Sequence, residues 1–316
     1  MEFTALAREL RQNFPALRLL ENEPMDRHCS FRIGGPAALF AAPASAEELA
    51  GLRRFLWQKG VQPAVIGKGT NLLVSDAGID GVVLHIGEGM DALRPGSGAD
   101  KDTVWAEAGV SLARLALWAK EQGLTGLEFA HGIPGSLGGG VMMNAGAYGG
   151  ELRDVVRRVR CLNRQGEIWE TSEPGFGYRS SRFAGSGDVI LAAELALRPG
   201  DIASISATMR ELMEKRSASQ PLDKPSAGST FKRPATGYAA ALIERAGLKG
   251  FRLGGAQVSE KHAGFVINAG GATCADVLRL MEHIQKTVEQ RFGVTLEPEV
   301  RVIGACVQET GAENEN

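Results

Sequence analysis

Apolar positions along the chain follow two rhythms, and each predicts a different element. Between Ala46 and Trp57, Leu49, Leu52, Phe55 and Leu56 recur at helical spacing, so this segment predicts an amphipathic helix. Short apolar runs at VQPAVIG (61–67) and GVVLHIG (81–87) predict strands on either side of a loop, GKGTNLLVSD (67–76). TVWAEAG (103–109) reads as a strand and SLARLALWAKEQG (111–123) as the helix after it. VRRVRCLN (156–163), EIWET (167–171) and DVILAAELAL (188–197) read as strands, the first two separated by a turn at Arg164-Gln165-Gly166. Ile202, Ile205, Met209, Leu212 and Met213 then return to helical spacing over 201–216. Residues 217–236, rich in Pro and Ser, predict a loop and a boundary. Beyond it come a helix near 237–247, a strand at AGFVIN (263–268) and a helix over 275–291. That helix opens on a capping-box pair, Thr273 and Asp276, and its stripe is Val277, Leu280, Met281, Ile284 and Val288. TLEPEVRVIG (295–304) predicts a last strand that turns Glu299 and Arg301 away from Val300 and Val302. The pattern is α+β, without internal repeats, and the acidic tail 305–316 is expected to be disordered.

One segment breaks both rhythms. Residues 132–150, GIPGSLGGGVMMNAGAYGG, hold eight glycines among nineteen residues and no charge, yet Ile133, Leu137, Val141, Met142 and Met143 are interleaved. A flexible linker would lack those anchors. Packed glycine instead suits backbone brought close to a bulky guest, with N–H groups turned toward it, and a phosphate ester is the usual guest. The loop 67–76 offers a second cradle through Thr70, Asn71 and its backbone. It is neither a P-loop, since Lys68 lies between its two glycines, nor a dinucleotide fingerprint, since Leu72 stands where a third glycine belongs.

Bulk composition removes several classes of function. With 316 residues, 44% hydrophobic and 23% charged, the chain is long enough for two or three folded domains. A net charge of −2 gives no electrostatic case for nucleic acid or anionic membrane. The N-terminus lacks a signal-peptide core and no apolar run approaches the roughly 18 residues of a membrane span. Cys29, Cys161, Cys274 and Cys306 are scattered, which fits reduced thiols in the cytoplasm, and no metal site is expected from them or from the five histidines. Nothing demands more than a monomer.

Two glycine-rich loops in separate subdomains resemble the vanillyl-alcohol-oxidase (PCMH) type of FAD-binding domain, in which the flavin lies between two α+β subdomains. Further segments sharpen the resemblance. SFRIGG (30–35), GLEFAHGIPGSLGG (126–139), NAGAYG (144–149), GFGYRSSRF (175–183), SAGSTFKRP (226–234) and LEPEVRVIG (296–304) occur in order. Together they resemble the UDP-N-acetylenolpyruvoylglucosamine reductases from about Ser30 to Gly304, in the shorter subclass without the inserted tyrosine-bearing loop. The resemblance implies an FAD-binding region over 1–200, in subdomains of about 1–90 and 91–200. A connecting helix at 201–216 and an α+β substrate-binding domain over 217–304 would follow. It implies tightly bound, non-covalent FAD, NADPH as co-substrate, and UDP-N-acetylglucosamine enolpyruvate as the group reduced, giving UDP-N-acetylmuramate for peptidoglycan synthesis.

The same resemblance distributes roles. FAD would be held by Gly67, Lys68, Gly69, Thr70, Asn71 and Leu72, and by Gly132, Ile133, Pro134, Gly135, Ser136, Gly138, Gly139, Asn144 and Gly146. Hydride addition to the β-carbon of an enolpyruvyl group builds negative charge on the α-carbon and its carboxylate. Arg179 would neutralise that charge, Ser229 would protonate the α-carbon, and Glu299 matches the third catalytic position. A carboxylate beside an enolate must be protonated or act through a bridging donor, because like charges repel. Tyr148, Arg216, Lys232, Arg233, Gln257 and Lys261 are candidates for sugar-nucleotide contacts. Two other readings stay open from the residues alone: an oxidase on the same FAD scaffold, and a non-catalytic flavin or sugar-nucleotide sensor.

Overall fold

Helices form where the apolar stripes run. In the computed structural model, which describes residues 2–304, they are α1 (Phe3–Asn13), α2 (Ala46–Gln58), α3 (Leu112–Glu121), α4 (Leu137–Met143), α5 (Ile202–Ser219), α6 (Ala239–Arg245) and α7 (Cys274–Phe292). Leu49, Leu52 and Leu56 of α2 are fully buried, and Ser45 caps that helix by accepting from Glu48 N at 3.1 Å. All five stripe residues of α7 are buried, and both bonds of the Thr273/Asp276 capping box are formed. α5 runs three residues past the expected Arg216, and its Ile202 is half exposed while Ile205 and Met209 are buried. The tail 305–316, with Cys306, lies outside the described residues.

The described residues divide into two compact units, residues 2–23, 38–70 and 81–223 in the first and 24–37, 71–80 and 224–304 in the second. Unit 1 holds an antiparallel five-stranded sheet in the order Ile168–Thr171, Val156–Leu162, Val189–Ala196, Thr103–Glu107, Leu93–Pro95. It also holds most of a four-stranded sheet, in which Ala64–Ile66 pairs in parallel with Val83–His85. A single buried cluster runs from Leu6 through Leu84, Val104 and Leu191 to Met209. The two subdomains expected at about 1–90 and 91–200 therefore share one core.

The glycine segment is not a loop throughout, as its composition suggested. Leu137 and Val141, four residues apart and fully buried, anchor it as α4. Glycine is needed on this helix for close approach: a Cβ on Gly140 would stand 2.9 Å from Leu152 Cδ1 and 3.3 Å from Leu112 Cδ1. Asn144 ends the helix in the left-handed conformation at φ 44°.

Unit 2 draws on three stretches of chain because backbone bonds knit them. Leu72–Val74 pairs in parallel with Arg301–Ile303. Ser75 N donates to Ile303 O and Gly35 N to Ser75 O, both at 2.9 Å. The Asp76 carboxylate accepts from Cys274 N at 2.7 Å and Ala275 N at 3.0 Å, at the start of α7. Residues 24–37 and 71–80 thus fold with the C-terminal part, although sequence order puts them inside the expected FAD region. An antiparallel sheet, Arg252–Leu253, Ala256–Val258 and Val266–Asn268, completes the unit with α6 and α7.

The expected last strand is shorter than its alternation suggested. Only Arg301–Ile303 is strand, and Val302 is exposed. Pro298 bridges to Phe231, and Glu299 N donates to Thr230 O at 2.8 Å, so the chain before Arg301 follows the 229–232 segment instead. Among the described residues, no helix is long and apolar enough to cross a membrane.

The capping box generates a prediction. Thr273→Ala removes the acceptor for Asp276 N and should lower stability by about 1 kcal/mol, read as a fall in the urea midpoint with an unchanged m-value.

Candidate functional site

In unit 1 the two glycine-rich loops meet. Thr70 Oγ1 donates to Pro134 O at 3.1 Å, and a Cβ on Gly67 would stand 2.4 Å from Ser136 Oγ. Gly69 and Gly135 have φ of +61° and +147°. Among the described residues, the N–H groups of Lys68, Gly69 and Thr70 donate to no backbone carbonyl. Neither 67–70, the part of the first loop in this unit, nor 132–150 carries an acidic residue. Close backbone with free donors and no carboxylate suits a phosphate ester, so the residues present fit the pyrophosphate of FAD. Other expected donors are already engaged: Gly138 N donates to Ala108 O at 2.9 Å and Ile133 N to Ala130 O at 3.1 Å. Gly139 is exposed, while Gly146 lies in a short strand pairing with Glu151. Asn71 and Leu72 belong to unit 2, where Asn71 Nδ2 donates to Glu299 O at 3.0 Å and Leu72 begins the strand beside Arg301.

Asn144 does not offer its side chain to a cofactor. It is fully buried, and its amide is used on three sides: Nδ2 donates to Glu151 Oε2 at 2.7 Å and to Gly177 O at 3.1 Å, while Oδ1 accepts from Arg153 N at 3.0 Å. The Gly177 bond reaches the segment that carries Arg179. There Gly177 N donates to Ser180 O at 3.0 Å, closing a tight turn with Tyr178 and Arg179 at its tip. Arg179 has φ +51°, its guanidinium reaches Gly146 O at 3.5 Å, and it lies over the Tyr178 ring at 5.4 Å. Ser181 Oγ donates to Met142 O at 2.8 Å.

Unit 2 brings Ser229 and Glu299 onto neighbouring segments through the residue between them, Thr230. Thr230 is buried; its N donates to Gly264 O at 2.8 Å, its hydroxyl accepts from Val266 N at 3.0 Å, and its carbonyl accepts from Glu299 N at 2.8 Å. Ser229 itself is exposed and Glu299 half-buried.

The expected sugar-nucleotide contacts separate into two groups. Arg216 and Tyr148 lie in unit 1, and the Tyr148 phenol is close enough to act electrostatically on the Arg216 guanidinium. Arg216 Cδ lies 3.1 Å from where a Gly132 Cβ would stand, and its buried Nε has no hydrogen-bond partner. Burial lowers the pKa of Arg216 from its ordinary value. Unit 2 holds the other four. Lys232, a candidate pyrophosphate cation, is ion-paired with Glu297. Arg233 lies 4.2 Å from the Tyr238 ring centroid, and Gln257 Nε2 donates to Gly250 O at 3.1 Å. Lys261 is exposed on a turn whose N–H donates to Ser259 Oγ at 3.1 Å.

Sequence reasoning missed Ser181, Glu151 and Thr230. Each acts through a hydrogen bond to a partner distant along the chain or through the backbone, and neither leaves a spacing signal. Ser181 was visible only as the second residue after Arg179.

Residues 220–303 match the C-terminal domain of UDP-N-acetylenolpyruvoylglucosamine reductase, and residues 37–172 match an FAD-binding domain. The UDP-N-acetylenolpyruvoylglucosamine reductase of Caldanaerobacter subterraneus subsp. tengcongensis is 48% identical over 301 residues, 95% of this chain and 98% of its own length. The protein of the same name from Lachnoclostridium phytofermentans is 45% identical over 304 residues, 96% and 98% of the two chains. Among solved structures, the UDP-N-acetylenolpyruvylglucosamine reductase from Thermus caldophilus aligns with a TM-score of 0.76 at 32% identity, covering 90% of this chain and 98% of that one.

Two measurements test the cradle. Gly67→Ala forces a methyl group against the Ser136 hydroxyl, and the purified variant should retain less flavin per chain, read from its visible absorbance. His131, beside Gly132, has a pKa lowered by burial first and by the Lys120 charge second, and its buried Nδ1 has no partner. Its folded pKa lies below the unfolded value, so the unfolded chain takes up the proton first as pH falls. Stability should therefore be complete above about pH 6.5 and decline on acidification below it. His131→Asn should flatten that decline in urea unfolding series run across the window.

Proposed function

The chain belongs to the UDP-N-acetylenolpyruvoylglucosamine reductase family of oxidoreductases, with an FAD-binding domain, and on that footing we propose that it reduces UDP-N-acetylglucosamine enolpyruvate to UDP-N-acetylmuramate at the expense of NADPH. The observation that carries this reading is the arrangement around Thr230. A buried, fully bonded threonine fixes its exposed neighbour Ser229, and the same carbonyl holds the backbone of Glu299. A proton donor to carbon needs such fixed geometry, because a serine hydroxyl is a weak acid and works only when held against a strong carbon base.

Bound FAD supplies hydride transfer between NADPH and the β-carbon of the enolpyruvyl group. The protein's side chains manage what that addition leaves behind. Charge develops on the α-carbon and its carboxylate, and the Arg179 guanidinium, with its fixed charge and forked donors, is suited to bind that carboxylate through two parallel hydrogen bonds. Ser229 Oγ gives its proton to the α-carbon, completing addition of two hydrogens across the double bond, and solvent restores the hydroxyl. Glu299 acts as the third group, in a protonated form or through a bridging donor, since a bare carboxylate would oppose the enolate. The UDP moiety carries phosphate charge that the cations of unit 2, Lys232, Arg233 and Lys261, are suited to meet.

Anaerobic spectroscopy tests the reading. NADPH should bleach the flavin bands of the purified protein, and UDP-N-acetylglucosamine enolpyruvate should restore them. Ser229→Ala should bleach at the wild-type rate and recover on the order of 100- to 10,000-fold more slowly. Recovery with oxygen but not with the enolpyruvyl substrate would count against the proposal.

A further inference from the structure

We propose that Asn144 and Ser181 are the positioning residues of Arg179: together they tie both flanks of its turn to the C-terminal end of α4 and so aim the guanidinium. The proposal rests on the reading of Arg179 as the group that binds the substrate carboxylate. Its observations come from unit 1 alone.

Arg179 occupies the left-handed region at φ +51°, a conformation that a residue with a side chain adopts only when its surroundings impose it. The turn's own Gly177–Ser180 bonding closes the tip but does not orient it. Orientation comes from two side-chain anchors. Before Arg179, Gly177 O accepts from Asn144 Nδ2 at 3.1 Å; after it, Ser181 Oγ donates to Met142 O at 2.8 Å. Asn144 and Met142 sit at the end of one short helix, so both flanks of the turn are fixed to the same rigid piece.

The chemistry of the neighbours also fixes which way the Asn144 amide faces. Arg153 N–H can only donate, so it requires the amide oxygen; the Glu151 carboxylate and Gly177 O can only accept, so they require the two N–H bonds. No donor of the amide remains for a ligand. An aspartate of the same outline would set a carboxylate against two acceptors. A glycine would keep the left-handed backbone and lose all three bonds.

The test uses the flavin-loaded enzyme and separates its two half-reactions. Asn144→Gly and Ser181→Ala should keep the wild-type flavin spectrum and bleach with NADPH at the wild-type rate. Recovery with UDP-N-acetylglucosamine enolpyruvate should slow on the order of tenfold for Asn144→Gly and a few-fold for Ser181→Ala. Asn144→Asp should be slower than Asn144→Gly. In an Arg179→Ala background, neither Asn144→Gly nor Ser181→Ala should slow recovery further, because the group they aim is gone. Equal slowing of bleaching and recovery, or the same slowing in the Arg179→Ala background, overturns the proposal. Should Asn144→Gly fail to fold, Ser181→Ala carries the same comparison after loss of a single hydroxyl. A wild-type enzyme that does not recover overturns the functional reading, and this proposal with it. Wild-type recovery with unaffected variants overturns this proposal alone.

Discussion

Much of unit 1 hangs on one buried amide. Asn144 ends α4, and its side chain joins that helix end to Glu151, Arg153 and Gly177 at once. A neutral hydrogen bond contributes only about 1 kcal/mol net, but a buried polar group left without its partner costs about 1–3 kcal/mol. Loss of this amide would strand three partners together. The same residue must also adopt φ +44°, which asparagine tolerates better than most residues. Shape, donors and backbone thus restrict the position to one side chain, and the glycine-rich helix cannot shift without moving the Arg179 turn.

The balance at Arg179 is close. A non-glycine residue in the left-handed region costs about 1–3 kcal/mol, and the anchors from Asn144 and Ser181 contribute about 1 kcal/mol each. Two anchors together match the strain at its midpoint, whereas one leaves the turn disfavoured by about 1 kcal/mol. Thr230 performs the equivalent task in unit 2 with less strain, since its three bonds are to backbone groups already ordered by strands and turns. In both units the residues proposed for chemistry are themselves exposed or half-buried, and their geometry is imposed by a fully buried polar neighbour.

What could be read from the chain, and what could not, follows the range of the interaction. The stripes of α2 and α7 and the Thr273/Asp276 cap are local, and their spacing announced them. The alternation at 295–304 was also local, yet it misled: Glu299 and Val300 leave the strand because Thr230, some seventy positions away, takes the Glu299 N–H. The glycine segment announced packed backbone but concealed α4, because glycine weakens the local helical signal while Leu137 and Val141 secure the helix by tertiary burial. The motif order singled out Arg179, Ser229 and Glu299 as candidates. It could not separate Arg216 from Lys232, since both are simply basic; only folding shows one half-buried against Gly132 and the other paired with Glu297. The loop 67–76 read as one cradle, but backbone pairing of Leu72–Val74 divides it between two units after Thr70.

This division suggests why the cradle is made of backbone and the chemistry of side chains. Amide N–H groups in a tight loop can hold an anion with little dependence on which side chains flank them, so a cradle such as the one proposed at 67–70 can be poor in charge. Charge near the reacting carboxylate is different: it has to appear at one position, in one orientation, and a guanidinium on a flexible surface loop would lose much of its effect to rotamer freedom. Tying the Arg179 turn to α4 resolves both demands with a single element. α4 packs by glycine where closeness matters, and its capping asparagine then holds the turn that carries the only long cationic side chain between Tyr178 and Ser181. A change at the end of that helix is therefore felt at the Arg179 turn through the Asn144 and Ser181 bonds.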